Sequence, residues 1–67
     1  MIRRKVLFAE ELLRDNRLTE AGLLLKGITV PGVSILGNEH YLQQASDYAL
    51  KGNRKDALAS IAEWWDS

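Results

Sequence analysis

Cysteine is absent from this chain of 67 residues, and histidine occurs once. Without cysteine there is no disulfide framework, no thiolate zinc site and no cysteine nucleophile. The only histidine is His40, which falls in the first turn of an expected helix, where a surface position is the favoured interpretation. One histidine and scattered carboxylates do not make a transition-metal site. We therefore expect no catalytic residue, no metal and no cofactor.

Long apolar runs, net charge and a phosphate-binding loop are missing as well. No segment approaches the roughly 20 apolar residues needed to span a bilayer. Nine basic and nine acidic residues cancel, so no global field draws the chain to nucleic acid or to an anionic membrane. Four glycines are spaced by five residues without the lysine of a phosphate loop. The sequence predicts a soluble, cytoplasmic protein that is not an enzyme and has no membrane partner.

The composition is that of an ordinary folded protein, with 46% hydrophobic and 27% charged residues. A domain of this length buries only roughly 60% of the surface that its unfolded chain exposes, so its core is thin. We predict a single small helical domain over residues 1–67, with marginal stability or help from self-association.

A pattern repeats after 36 residues: the segment from Phe8–Leu13 to Glu20-Ala21 is echoed by Gln44–Ala49 to Asp56-Ala57. Apolar residues recur at helical spacing in both copies. We predict an all-α fold of four short helices, arranged as two antiparallel helical hairpins joined by an apolar Pro-Gly connector. Hairpin 1 covers about 2–27, the connector 28–37 and hairpin 2 about 38–66.

The spacing also predicts which side chains are buried and where the helices end. Gly27 is placed to end the second helix, Asn38 to cap the third, and Asn53 to cap the fourth in a capping box with Asp56. The first helix has an apolar stripe of Ile2, Val6, Ala9 and Leu13, widened by Phe8 and Leu12. The third has Leu42, Ala45 and Ala49, flanked by Tyr41 and Tyr48, and the fourth has Ala57, Leu58, Ile61, Trp64 and Trp65.

The connector is β-branched and is interrupted by Pro31-Gly32, so no helix runs through it. It is either an extended segment that packs Val30, Val33 and Ile35 against the helices or a pair of very short strands around a turn. The extended segment is favoured, because an isolated two-stranded hairpin is only marginally stable in water.

Small residues stand where the helices of each hairpin would touch, namely Ala9 and Ala21 in the first copy and Ala45 and Ala57 in the second. With Gly52 at a turn and Pro31 near the end of the first unit, about 50 residues resemble the tetratricopeptide-type helical repeat. The resemblance implies a scaffold that contacts another protein. Because such arrays need about three units, two units are expected to close on themselves or to dimerise.

Trp64 and Trp65 are adjacent on the last helix and cannot both face the same core. In the favoured interpretation both cap the core, one from each side of the helix. In the alternative, Trp65 is partly exposed and forms a patch with Tyr41 and the connector, since Trp and Tyr are enriched in binding hot spots. The candidate partner-binding residues are Tyr41, Trp64, Trp65, Val33 and Ile35.

We therefore predict a small regulatory protein, a non-enzymatic protein–protein interaction module that acts as adaptor, inhibitor or regulatory subunit by binding a face of a larger protein. A homodimer is the expected quaternary state.

A second resemblance implies DNA binding: Leu18–Ala21 and Gly27–Ser34 are similar to the helix-turn-helix of small repressors. The would-be recognition helix contains Pro31-Gly32 and has no Arg, Lys, Gln or Asn before Asn38, although base reading and phosphate anchoring depend on such side chains. A small DNA-binding regulator is therefore the less favoured alternative. It would use the N-terminal basic residues Arg3, Arg4, Lys5, Arg14 and Arg17.

Overall fold

The computed structural model describes residues 2–28 and 39–67, and within them the chain forms four α-helices and no strand. These are α1 (Ile2–Arg14), α2 (Leu18–Ile28), α3 (His40–Leu50) and α4 (Arg54–Asp66). The predicted all-α fold of two helical hairpins is confirmed. The conformation predicted for the connector and the cap predicted at Asn38 lie outside the described residues, apart from Ile28, which is the last residue of α2.

The helices form a ring in which each packs against the next. α2 lies between α1 and α3, and α4 lies against α3 and also reaches α1, where the contact is the smallest of the four. The two hairpins therefore close on each other within one chain, which is one of the two arrangements expected of two units.

The core repeats with the same 36-residue period as the sequence. The pairs Val6/Leu42, Ala9/Ala45, Leu13/Ala49, Ala21/Ala57 and Leu25/Ile61 are all buried. The four alanines predicted at the helix contacts are among them. Ser46, Ser60, Leu12, Trp64 and Gly22 complete the buried set, with Tyr41 and Tyr48 half-buried beside it. Each hairpin thus supplies equivalent positions to one shared core.

The two hairpin turns have the same backbone geometry. Asn16 and Gly52, 36 residues apart, both have positive φ, 64° and 84°. The N–H of the following residue reaches back to a helix carbonyl at 2.8 Å in both turns, from Arg17 to Leu12 and from Asn53 to Tyr48. This pattern is the Schellman motif, which places glycine or asparagine in the left-handed region. Asparagine tolerates that region better than most residues, so the first hairpin makes with Asn16 the turn that the second makes with glycine.

Three local predictions were wrong. Gly27 does not end α2, because half-buried Ile28 packs on the core and extends the helix by one residue beyond it. The capping box of α4 is not formed: the side chain of Asn53 makes no cap hydrogen bond, and its N–H is engaged by the carbonyl of Tyr48. Phe8 does not widen the core stripe of α1, since it lies on the outer side of the helix and is exposed.

The joint between the hairpins is a close approach of α2 to α3. A Cβ placed on buried Gly22 would lie 2.6 Å from Cγ of Leu50 and 3.2 Å from the carbonyl oxygen of Ser46. The Ser46 hydroxyl donates a buried hydrogen bond of 2.9 Å to the carbonyl oxygen of Gly22. A glycine inside a helix costs up to about 1 kcal/mol relative to alanine, and here it leaves room for the side chain of Leu50 and the backbone of Ser46.

Candidate functional site

The two adjacent tryptophans have different environments. Trp64 is 7% exposed and belongs to the core, whereas Trp65 is 37% exposed. Their rings meet edge to face, with centroids 4.8 Å apart and planes at 72°. The interpretation favoured from the sequence, in which both rings cap the core, is therefore wrong for Trp65. The Nε1 of Trp64 is buried with no acceptor among the described residues, so this ring offers neither its face nor its polar atom to a partner.

Trp65 is fixed from two sides. Its Nε1 donates a hydrogen bond of 3.0 Å to Oε1 of Glu10, and its ring rests against Trp64. The hydrogen bond joins α4 to α1 across the smallest helix contact in the ring. Because 55 residues separate the two partners, no local sequence pattern indicates this contact. It leaves part of a large aromatic ring on the surface in a defined orientation.

Of the three remaining residues of the predicted binding patch, Tyr41 alone lies in the described part of the chain. Tyr41 is half-buried at the start of α3, where its ring centroid lies 4.0 Å from that of exposed His40. Val33 and Ile35 lie outside the described residues. Of the five predicted partner-binding residues, Trp65 presents the most exposed surface that can be described.

The five basic residues of the alternative function fall into two groups. Arg3, Arg4 and Lys5 are exposed on the first turn of α1, while Arg14 and Arg17 are exposed at its other end. Ten residues of helix separate Arg4 from Arg14, a rise of about 15 Å. Arg17 also lies 3.9 Å from the carboxylate of Glu20. The geometry does not bring the five residues into one cationic patch.

A second exposed apolar feature lies on the outer side of α1. Leu7 and Phe8 are 52% and 55% exposed, and they lie between exposed Arg4 and Glu11. Sequence reasoning missed this surface because it assigned Phe8 to the core. The repeat itself holds the missing signal: 36 residues later, Gln43 and Gln44 occupy the equivalent exposed positions of α3. Residues at these positions face water in both copies.

No group of three or more acidic or histidine side chains in residues 2–28 and 39–67 is arranged to hold a metal ion. Nor does any helix in these ranges have the length and apolar character required to cross a membrane. Comparison with protein-family models, with curated proteins and with solved structures found no match for this chain.

Proposed function

We propose that this protein is a non-enzymatic interaction module, an adaptor, inhibitor or regulatory subunit that binds a face of a larger protein. The observation that carries the proposal is the orientation of Trp65, which is partly exposed yet held by Glu10 and by the ring of Trp64. A partner that binds this ring would not need to immobilise it first, and such pre-organisation lowers the entropic cost of association.

The chemistry of the ring supports a protein partner. Tryptophan is enriched in the hot spots of protein interfaces, where it brings a large apolar area. Because Nε1 is already bonded to Glu10, the part of Trp65 left for a partner is its apolar surface. We expect the partner to supply an apolar recess for this ring, with the more polar side chains of α1 and α4 at the rim.

The test compares proteins retained from an extract of the source cells by the immobilised wild-type chain and by two variants. Trp65→Ala removes the proposed anchor. Leu23→Ala is the matched control, because Leu23 is also an exposed apolar residue but lies on α2, which packs mainly on α1 and α3. All three proteins should retain the same helical circular dichroism spectrum.

We expect a retained protein, once identified and purified, to bind the wild type and Leu23→Ala equally. Trp65→Ala should bind it about 30-fold more weakly, the effect of losing a hot spot worth about 2 kcal/mol. Equal binding by all three would contradict the role of Trp65. A salt-dependent shift of labelled DNA at low salt would instead support the DNA-binding alternative.

A further inference from the structure

The outer stripe of α1 consists of Arg4, Leu7, Phe8 and Glu11, all exposed. Residues three and four apart are neighbours on a helix surface, so these four form one continuous strip. The apolar pair is at its centre, with a positive charge toward the helix start and a negative charge toward its end. Among the described residues neither Arg4 nor Glu11 takes part in an ion pair.

This order of residues is self-complementary. When two copies of a helix pack antiparallel about a two-fold axis, a residue of one copy faces the residue at the mirrored position of the other. An axis between Leu7 and Phe8 places each of these residues against the other apolar residue of the second copy. The same axis places Arg4 of each copy against Glu11 of the other. A parallel pairing would instead oppose like charges.

The second hairpin shows that the fold does not require this stripe. The equivalent positions of α3 are His40, Gln43, Gln44 and Asp47, all exposed and without a large apolar residue at the centre. The helix is equally well formed there. Within residues 2–28 and 39–67, exposing a leucine and a phenylalanine side by side on α1 therefore serves no packing role, and burial against another surface would account for it.

We infer that the stripe Arg4-Leu7-Phe8-Glu11 is an antiparallel, two-fold self-association surface, and that its occupant is the α1 of a second copy of this chain. The apolar pair supplies the attraction, and the two crossed Arg4–Glu11 pairs set the direction and register, which is the usual role of interfacial charge. One helix pair makes a small interface, so the dimer is weak. This inference is independent of the role proposed for Trp65.

The first experiment is sedimentation equilibrium of the full chain at low ionic strength over a range of concentrations. The wild type should dimerise. Leu7→Gln/Phe8→Gln, which installs the residues found at the equivalent positions of α3, should remain monomeric with an unchanged helical spectrum. Trp65→Ala should dimerise like the wild type, so that a failure of the proposed function leaves this result unaffected.

The second experiment tests register through charge. In a dimer of Arg4→Glu alone, or of Glu11→Arg alone, both crossed contacts bring like charges together. We expect each variant to self-associate about tenfold more weakly than the wild type. An equimolar mixture of these two variants should recover association, because the heterodimer again pairs opposite charges at both positions. The double variant Arg4→Glu/Glu11→Arg should also recover it. Raising the salt concentration should reduce all of these differences.

Three outcomes would overturn the inference. They are a wild type that stays monomeric at the highest concentration, a Leu7→Gln/Phe8→Gln variant that dimerises as well as the wild type, and a charge mixture that associates no better than its components. Co-sedimentation with anionic lipid vesicles, shown by a monomeric wild type and lost in Leu7→Gln/Phe8→Gln, would assign the stripe to a membrane surface instead.

Discussion

At positions 7, 8 and 23 the first hairpin exposes two leucines and a phenylalanine, whereas the second has Gln43, Gln44 and Ala59 at the equivalent positions. The buried positions follow the opposite rule, because there the two copies are apolar together at five equivalent pairs. The two hairpins therefore share a set of buried apolar positions, here called the shared frame, and differ in the side chains that they expose to solvent. Binding surfaces are best sought where one copy exposes a large apolar residue and the other a polar one, as at positions 7 and 8, since the fold accepts either residue there.

The contacts between the hairpins differ as well. α2 and α3 meet closely at Gly22 and Ser46, with a buried hydrogen bond. α4 and α1 have the smallest contact and are joined at the surface by Trp65 and Glu10. The close contact between α2 and α3 fixes how the hairpins are arranged, and the smaller contact between α4 and α1 leaves the ring of Trp65 partly exposed. Exchanging residues between equivalent positions of the hairpins tests the distinction between shared buried positions and differing exposed ones.

The largest effect is expected when a core position of hairpin 1 receives the residue of hairpin 2. Leu13 is fully buried and its equivalent is Ala49. Leu13→Ala should lower the free energy of unfolding by about 3 kcal/mol, because it removes buried apolar surface and leaves a cavity. The measurement is urea unfolding followed by circular dichroism, at a protein concentration where the chain is monomeric.

Leu23→Ala is the matched control, since the chemical change is the same and Ala59 is the residue at the equivalent position. With Leu23 58% exposed, we expect a change within about 0.5 kcal/mol. Similar losses in the two variants would contradict the distinction between shared frame and variable surface.

A smaller loss in the free energy of unfolding is expected at the close contact between α2 and α3. Gly22→Ala gains helix propensity but brings a Cβ within 2.6 Å of Cγ of Leu50. Overpacking of this kind costs about 1–3 kcal/mol, so we expect a net loss of about 1 kcal/mol in the free energy of unfolding, measured by urea unfolding.

A second variant removes the Leu50 side chain that a Cβ at position 22 would meet. Leu50→Ala should lower the free energy of unfolding only slightly, because Leu50 is itself exposed. The double variant Gly22→Ala/Leu50→Ala should be about 1 kcal/mol more stable than the sum of the two single changes predicts. Additive losses would mean that the restriction at Gly22 comes from the backbone of Ser46 and not from Leu50.

Local periodicity was sufficient for the features that depend on one helix or one turn. The four helices, the buried alanines and the 36-residue equivalence could be predicted because helical spacing shows in the sequence which residues share a face. Helical spacing alone did not place Phe8, since an apolar residue beside a core stripe has the same pattern whether it faces inward or outward; the comparison with Gln44, 36 residues later, would have placed it. Contacts between distant residues were not predictable either: Trp65 with Glu10 and Gly22 with Ser46 depend on how the hairpins pack.

The smallest effect is expected when the two turns exchange residues, because their backbone conformation is the same. Asn16 and Gly52 adopt the same left-handed conformation, which costs an ordinary L-residue roughly 1–2 kcal/mol and glycine nothing.

Asn16→Gly should therefore raise the free energy of unfolding by about 0.5 kcal/mol, because asparagine already tolerates this region and glycine loses more entropy on folding. Gly52→Asn should lower it by a similar amount, and Gly52→Ala by about 1 kcal/mol. Urea unfolding of the three variants measures these changes. If Asn16→Gly were destabilising, the Asn16 side chain would contribute to the turn beyond its backbone conformation, and the two turns would differ in energy despite their common hydrogen-bond pattern.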